Sequence, residues 1–255
     1  MTPSAPTVCS ESGLVARLLH RDGMMLVLDK PAGLPVHPGP KGGETLHDHL
    51  DALRFGLPRR PELAHRLDKD TSGCLVLGRH PKAIAALNRL FAEGRVDKTY
   101  VAVTRGAPVQ ETGRIDQPLA KRSPHRGWWM QAVPKGTPGA LEAVTLWRVL
   151  FRGEGLAVLA LSPLTGRTHQ LRAHLAHLGH PILGDAIYGG ASRLPGGPLL
   201  HLHSRRVVIP SDRKGPALAV SAPLPDHIRA TLAALAADAE ALEHAADAAF
   251  APVSG

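Results

Sequence analysis

The chain has 255 residues and a mass of 27.0 kDa, with 30 Lys and Arg against 22 Asp and Glu and a formal net charge of +8. That length builds one large domain or two small ones, and it buries enough surface to fold without a metal or disulfide staple. Only Cys9 and Cys74 are present, with no secretory leader and no apolar run of membrane-spanning length, so a disulfide scaffold and a membrane span are excluded and the cytoplasm is the expected compartment.

Met24–Asp29 (MMLVLD) is predicted as a strand, followed by a shaped loop over 31–43 rich in Pro and Gly. Thr45, with Asp48 three positions on, predicts a short helix to about Arg54. The polar run Ala64–Gly73 leads straight into a strand at CLVLG. His80-Pro81 opens a helix with an apolar face of Ile84, Leu87, Leu90 and Phe91, which Gly94 stops. A strand over 98–103 precedes a Gly/Pro-rich region, 106–140, to which no element is assigned and which holds the basic cluster Lys121–Arg126. Strands are predicted over 141–150 and 156–162, then a helix over His169–Leu178 capped by Thr168, then later strands between 199 and 210.

From Ala230 the composition changes to alanine with four acids (Asp238, Glu240, Glu243, Asp247) and no Lys or Arg. Residues 1–229 therefore carry 30 basic against 18 acidic residues, a net +12. This shift divides the chain into a body, 1–229, and a tail, 230–255, expected as a peripheral helix. A basic body favours a polyanion. Many strands and few helices predict an α+β fold with a mostly antiparallel sheet, because a doubly wound parallel sheet needs a crossover helix between strands.

Three residues invite a chemical reading. Asp68 lies between Arg66 and Lys69 immediately before a strand that can hold a carboxylate rigidly, though the same residue is suited to cap a turn through the 71–73 amides. Arg167, in TGRTHQLR, is a candidate cation to keep such a carboxylate ionised, or else a surface arginine near a helix start. Tyr100 is suited to stack on a base, or to fill a half-buried strand position. The pairs His47/His49, His174/His177 and His201/His203, with Asp185 nearby, lack an HExxH or a cysteine pair, so no metal is expected. No GxGxxG, P-loop or GxSxG motif is present.

The ordered set of motifs resembles the RluA-type family of RNA pseudouridine synthases. It comprises His65–Gly73 (HRLDKDTSG), Asp29–Leu34 (DKPAGL), Lys98-Thr99-Tyr100, Gly166–Arg172 (GRTHQLR), His174-Leu175-Ala176, Gly179–Asp185 and Tyr188-Gly189, within residues 24–225. The resemblance implies a mixed, mostly antiparallel sheet with flanking helices and a central cleft. It implies isomerisation of uridine in structured RNA, rRNA or tRNA, with no cofactor and as a monomer without an obligatory protein partner. Asp68 is then the catalytic aspartate, Arg167 its partner and Tyr100 the aromatic that stacks on the target base. Arg66 helps to hold the RNA; Lys69, Arg172, Lys121, Arg122 and Arg126 join it as expected RNA contacts. The roughly 20 residues before Met24 are too few for the small N-terminal S4 module that many members carry. Two other classes are weighed. A non-catalytic RNA-binding protein has no need of Asp68, Tyr100 and Arg167 together, and a metal-dependent hydrolase has to be sensitive to a chelator.

Overall fold

The computed structural model describes residues 11–38, 42–122, 129–190, 199–211 and 215–250. The chain forms two compact units, Met1–Val96 with Val207–Ala222, and Asp97–Arg206 with Pro223–Gly255. In the first unit, helix α1 (Glu11–Val15) leads to β1 (Leu18–Arg21) and β2 (Met25–Lys30); a 3-10 helix over Leu46–Leu53 follows, then β3 (Glu62–Leu63), β4 (Ser72–Gly78) and α2 (Pro81–Ala92). β2 pairs antiparallel with both β1 and β4, and β3 pairs with β4. β4 is buried along its whole length, which is why CLVLG reads as a continuous apolar run. Its inner face meets Leu87 and Leu90 of α2 and Val27 of β2, with Val207, Ile209 and Ala222 completing the core.

Local chemistry explains the ends of these elements. His80 caps α2 by accepting a hydrogen bond at Nδ1 from the Ala83 amide, with Pro81 in the first turn, and Gly94 turns the chain at φ +68°. Thr45 and Asp48 form the expected capping box, but the helix they open is 3-10 rather than α.

The second unit contains β5 (Asp97–Arg105), β6 (Thr112–Asp116), β7 (Leu119–Lys121), β8 (Met130–Ala132), β9 (Val144–Arg152), β10 (Leu156–Pro163) and α3 (Gln170–His177). Strand β11 (Leu202–Ile209) crosses the boundary between the units in sequence, and β12 (Leu218–Ser221) belongs to the first. α4 (Asp226–Ala234) and α5 (Ala239–Ala248) return to the second. β10 pairs antiparallel with β5 and β9, and β9 with β6; β7 and β8 form a separate hairpin. Antiparallel pairing throughout these registers gives the expected α+β architecture. The strands β6, β7 and β8 lie in the Gly/Pro-rich region 106–140.

β6 approaches β9 closely because Gly113 stands opposite Trp147. A Cβ at Gly113 would lie 2.6 Å from Cε2 of that indole, which is 5% exposed. Gly113→Ala is therefore expected to lose about 1–3 kcal/mol through overpacking. Urea melts followed by tryptophan fluorescence check this, and unchanged stability would show that the indole can swing aside.

The division at 229/230 is corrected. α4 starts at Asp226 and runs across it, and Ile228, Leu232, Leu242 and Ala246 share one core with Val101, Val103 and Val158. Three of the tail's four acids are also engaged. Arg205 of β11, its side chain 8% exposed, donates to both carboxylate oxygens of Asp247 (2.9 and 2.8 Å) and to Glu243 (2.8 Å). Glu243 accepts further from the Leu224 amide and from Arg229, while Asp238 caps α5. The alanine-rich segment is a fastened part of the second unit, since small side chains let α5 pack closely where Ala246 is fully buried.

Candidate active site

In the first unit, β2 and β4 pair so that Lys30 faces Gly73, bringing the loop after β2 beside the segment that carries Asp68. Asp68 is half-buried in a turn closed by the Thr71 amide on its carbonyl (3.2 Å), while Arg66, Lys69 and Asp70 are exposed and Leu67 is buried. This alternation anchors the turn by its leucine and leaves charged groups at the surface. His65 is fixed from behind, with Nε2 accepting the Val76 amide at 3.0 Å and its ring stacked on Phe91.

Lys30 is the residue that the sequence reading left without a role. Its side chain is fully buried, and Nζ donates to three carbonyls, those of Pro31 (2.7 Å), Leu34 (3.0 Å) and Lys69 (3.0 Å). The Lys69 carbonyl also accepts the Gly33 amide at 2.9 Å, so the 31–34 loop is clipped to the peptide next to Asp68. Burial pulls the Lys30 ammonium down to about 7, against the attraction of Asp70, Asp68 and Asp29. Three acceptors match the three N–H groups of the charged form, whereas a neutral amine has only two, so this geometry favours the ammonium. A lysine ending the apolar run MMLVLD was the available signal.

In the second unit, Tyr100 lies on β5 opposite Leu161 of β10 and is 7% exposed. Arg167 is exposed, just ahead of α3, with Nε donating to the Glu142 carbonyl at 2.9 Å. Thr168 does not cap α3. The position before the helix is His169, left-handed at φ +52°, and the turn closes through the Gln170 amide on the Arg167 carbonyl. A non-glycine residue in that region costs about 1–3 kcal/mol and persists where its surroundings demand it. Here Tyr188 supports it, its hydroxyl accepting the Met130 amide (3.0 Å) and lying within hydrogen-bond distance of His169 Nδ1 (3.1 Å).

Arg172 is corrected as an RNA contact. Its side chain is 4% exposed, and Nε and Nη2 reach the two oxygens of Asp185 at 2.8 and 2.9 Å. Asp185 Oδ1 also accepts the Ile187 and Tyr188 amides, and the Arg172 guanidinium lies 5.4 Å from the centre of the Tyr188 ring. Of the other expected RNA contacts, Lys121 and Arg122 are exposed at the end of β7, with Arg122 5.8 Å from the centre of a Trp129 ring; Arg126 lies outside the described residues. The histidines serve packing: His174 and His201 are buried and hydrogen-bonded to Thr145 and Thr231. Among the described residues no group of three or more His, Cys, Asp or Glu is arranged to hold a metal ion.

Residues 24–177 match the family model for RNA pseudouridylate synthase. The chain belongs to that family. It is 44% identical over 201 residues to an uncharacterized RNA pseudouridine synthase of Zymomonas mobilis, a match covering 76% of this chain and 88% of that protein. Two ribosomal large subunit pseudouridine synthases D are similar as well. The Haemophilus ducreyi protein is 37% identical over 71% of this chain and the Nitrosomonas europaea protein 35% over 86%, and the matches span 54% and 65% of those longer proteins. The solved structure of human RNA pseudouridylate synthase domain containing 4 superposes with a TM-score of 0.76 at 28% identity, covering 89% of this chain and 95% of that one. As a pseudouridylate synthase, the chain isomerises uridine in RNA to pseudouridine, a reaction that needs no cofactor. Asp68, Tyr100 and Arg167 all fall inside the matched residues.

Proposed function

We propose that this synthase modifies uridine in large-subunit ribosomal RNA, with Asp68 performing the central step. What supports this reading is a family match that includes an aspartate held half-exposed in a turn, its neighbouring peptide clipped by the buried Lys30. The ribosomal target is carried over from the names of the Haemophilus and Nitrosomonas relatives.

In the proposed reaction the N1–C1′ bond breaks with its electron pair going to the uracil ring. The ring turns in place, C5 bonds to C1′, and the C5 proton is lost while N1 gains one. The Asp68 carboxylate drives the first stage by attacking C1′ or by taking a sugar proton on the way to a glycal; both routes require it ionised. Arg167 is a second catalytic residue in this reading, an exposed cation just ahead of α3. Tyr100 stacks on the turned-out base and assists proton transfer at C5.

Extruding the base costs a few kcal/mol, which phosphate contacts offset. Arg66, Lys69, Lys121 and Arg122 are exposed cations suited to that task, and Arg126 is added on sequence alone. The synthase works as a monomer in the cytoplasm. Ribosomal RNA and tRNA transcripts incubated with the protein and mapped by carbodiimide chemistry are expected to show new pseudouridine in the large-subunit RNA. Modification confined to tRNA would move the target, and none in either RNA would remove the assignment.

A further inference from the structure

Gln170 is 4% exposed, and its side chain makes four hydrogen bonds that join two segments of the second unit. Oε1 accepts from the Arg167 amide (3.0 Å) and from the Thr165 hydroxyl (2.7 Å). The amide nitrogen donates to the Val144 carbonyl (2.9 Å) and to Thr145 Oγ1 (3.1 Å). Thr165 Oγ1 in turn accepts the Val144 amide at 3.0 Å.

Proton directions in this cluster are determined from its far end. His174 Nε2 faces the Gln117 carbonyl (2.9 Å), which only accepts, so Nε2 carries the proton. Nδ1 is then an acceptor, and the Thr145 hydroxyl donates to it at 2.8 Å. The lone pairs of Thr145 are left to accept from Gln170, which orients the glutamine with its nitrogen inward and its oxygen toward Arg167. His174 is fully buried, and that burial holds its pKa below the ordinary value despite the hydrogen bond to Gln117, consistent with a neutral ring.

Besides the Gln170 backbone N–H on its carbonyl, two attachments of Arg167 are linked to this side-chain amide, one directly and one through the neighbouring segment. Its backbone is held directly through N–H to Oε1. Its Nε rests on the Glu142 carbonyl, two residues before the Val144 that Gln170 also holds. With Nε engaged, a bidentate anion must use the two terminal nitrogens, so the placement of the guanidinium fork depends on the spacing of these two segments. We propose that Gln170 is a positioning residue that sets the Arg167 guanidinium for the reaction, acting through Arg167 and without touching the RNA. The proposal rests on the catalytic reading of Arg167 given above.

A double-mutant cycle tests it, using single-turnover rates of pseudouridine formation, RNA dissociation constants and thermal melts for Arg167→Ala, Gln170→Leu and the double variant. Displacing a catalytic group by about 1 Å can lower a rate by ~10²-fold. Gln170→Leu is expected to slow the single-turnover rate by roughly 10- to 100-fold with RNA affinity little changed, yet to add almost nothing on the Arg167→Ala background. A full further loss in the double variant would show a general structural role and overturn the proposal. So would wild-type turnover by Gln170→Leu when Arg167→Ala is slow. Wild-type turnover by Arg167→Ala would instead remove the catalytic reading of Arg167, and this inference with it. Should Gln170→Leu fail to fold, Thr165→Val removes one hydroxyl from the same cluster with nearly the same shape, and the same cycle is run with it.

Discussion

Asp68→Asn is expected to lower the single-turnover rate of pseudouridine formation by at least about 10³-fold, with RNA affinity and melting temperature close to wild type. An asparagine amide can neither attack C1′ nor take a sugar proton at neutral pH, so either route loses its driving group. The backbone closure of the turn is kept. Asp68 is half-buried, and its turn is closed by a backbone hydrogen bond from Thr71 to its carbonyl, which asparagine keeps. The buried cation next to the turn, Lys30, is held by three carbonyls, none of them from the Asp68 side chain. Normal turnover by the purified variant would sink the assignment, and lost turnover together with an unfolded melt would leave Asp68 as a folding residue instead.

Asp185→Asn should act oppositely, on stability. Arg172 and Asp185 have side chains 4% and 0% exposed, so neutralising one partner leaves a buried guanidinium uncompensated at a cost of about 3–5 kcal/mol. For a chain of this size that is a fall in melting temperature of roughly 6–20 °C. Replacing both partners with apolar residues should not restore stability, because Asp185 Oδ1 also satisfies the Ile187 and Tyr188 amides, which would be orphaned.

The pH dependence has a definite sign. Burial pushes the Asp185 carboxyl up, but the hydrogen bonds and charge of Arg172 and the two amides outweigh it and leave it below the ordinary 3.8. A depressed carboxylate binds its proton more readily in the unfolded chain. Its stabilising contribution is therefore complete above pH 3.8 and is lost as pH falls through the lower folded-state value. Urea melts of wild type and Asp185→Asn should accordingly differ most near neutrality and converge in acid. Equal stabilities at pH 7 would contradict the pair's structural role.

What the sequence revealed follows from where its signals are local. β2, β4, α2, β9 and β10 each combine an apolar pattern with a stop or cap within a few residues, and they were readable to within a few positions. β6, β7 and β8 were not, being three to five residues long, with β6 specified by pairing with the distant β9 and β7 and β8 only by each other. Thr168 is a good capping residue type, but that rule assumes an extended backbone at the cap. The left-handed His169, with Gln170 taking the Arg167 amide, replaces that arrangement. Composition drew the tail boundary at 229, although Arg205 and Glu243, 38 residues apart, hold the segment against the sheet of its unit. Charge alone likewise did not separate Arg172, buried against Asp185, from Arg66 and Lys69 at the surface.

The first unit is discontinuous, and this bears on how the protein is made. Its core needs Val207, Ile209 and Ala222, which leave the ribosome only after the whole of Asp97–Arg206 has been polymerised. At about 5–20 residues per second, that is a delay on the order of 5–20 s during which β2 and β4 lack those apolar partners. The turn bearing Asp68 is thus translated early but mounted on a finished scaffold late, so the nascent chain passes through an interval in which it is open to aggregation and to chaperone binding.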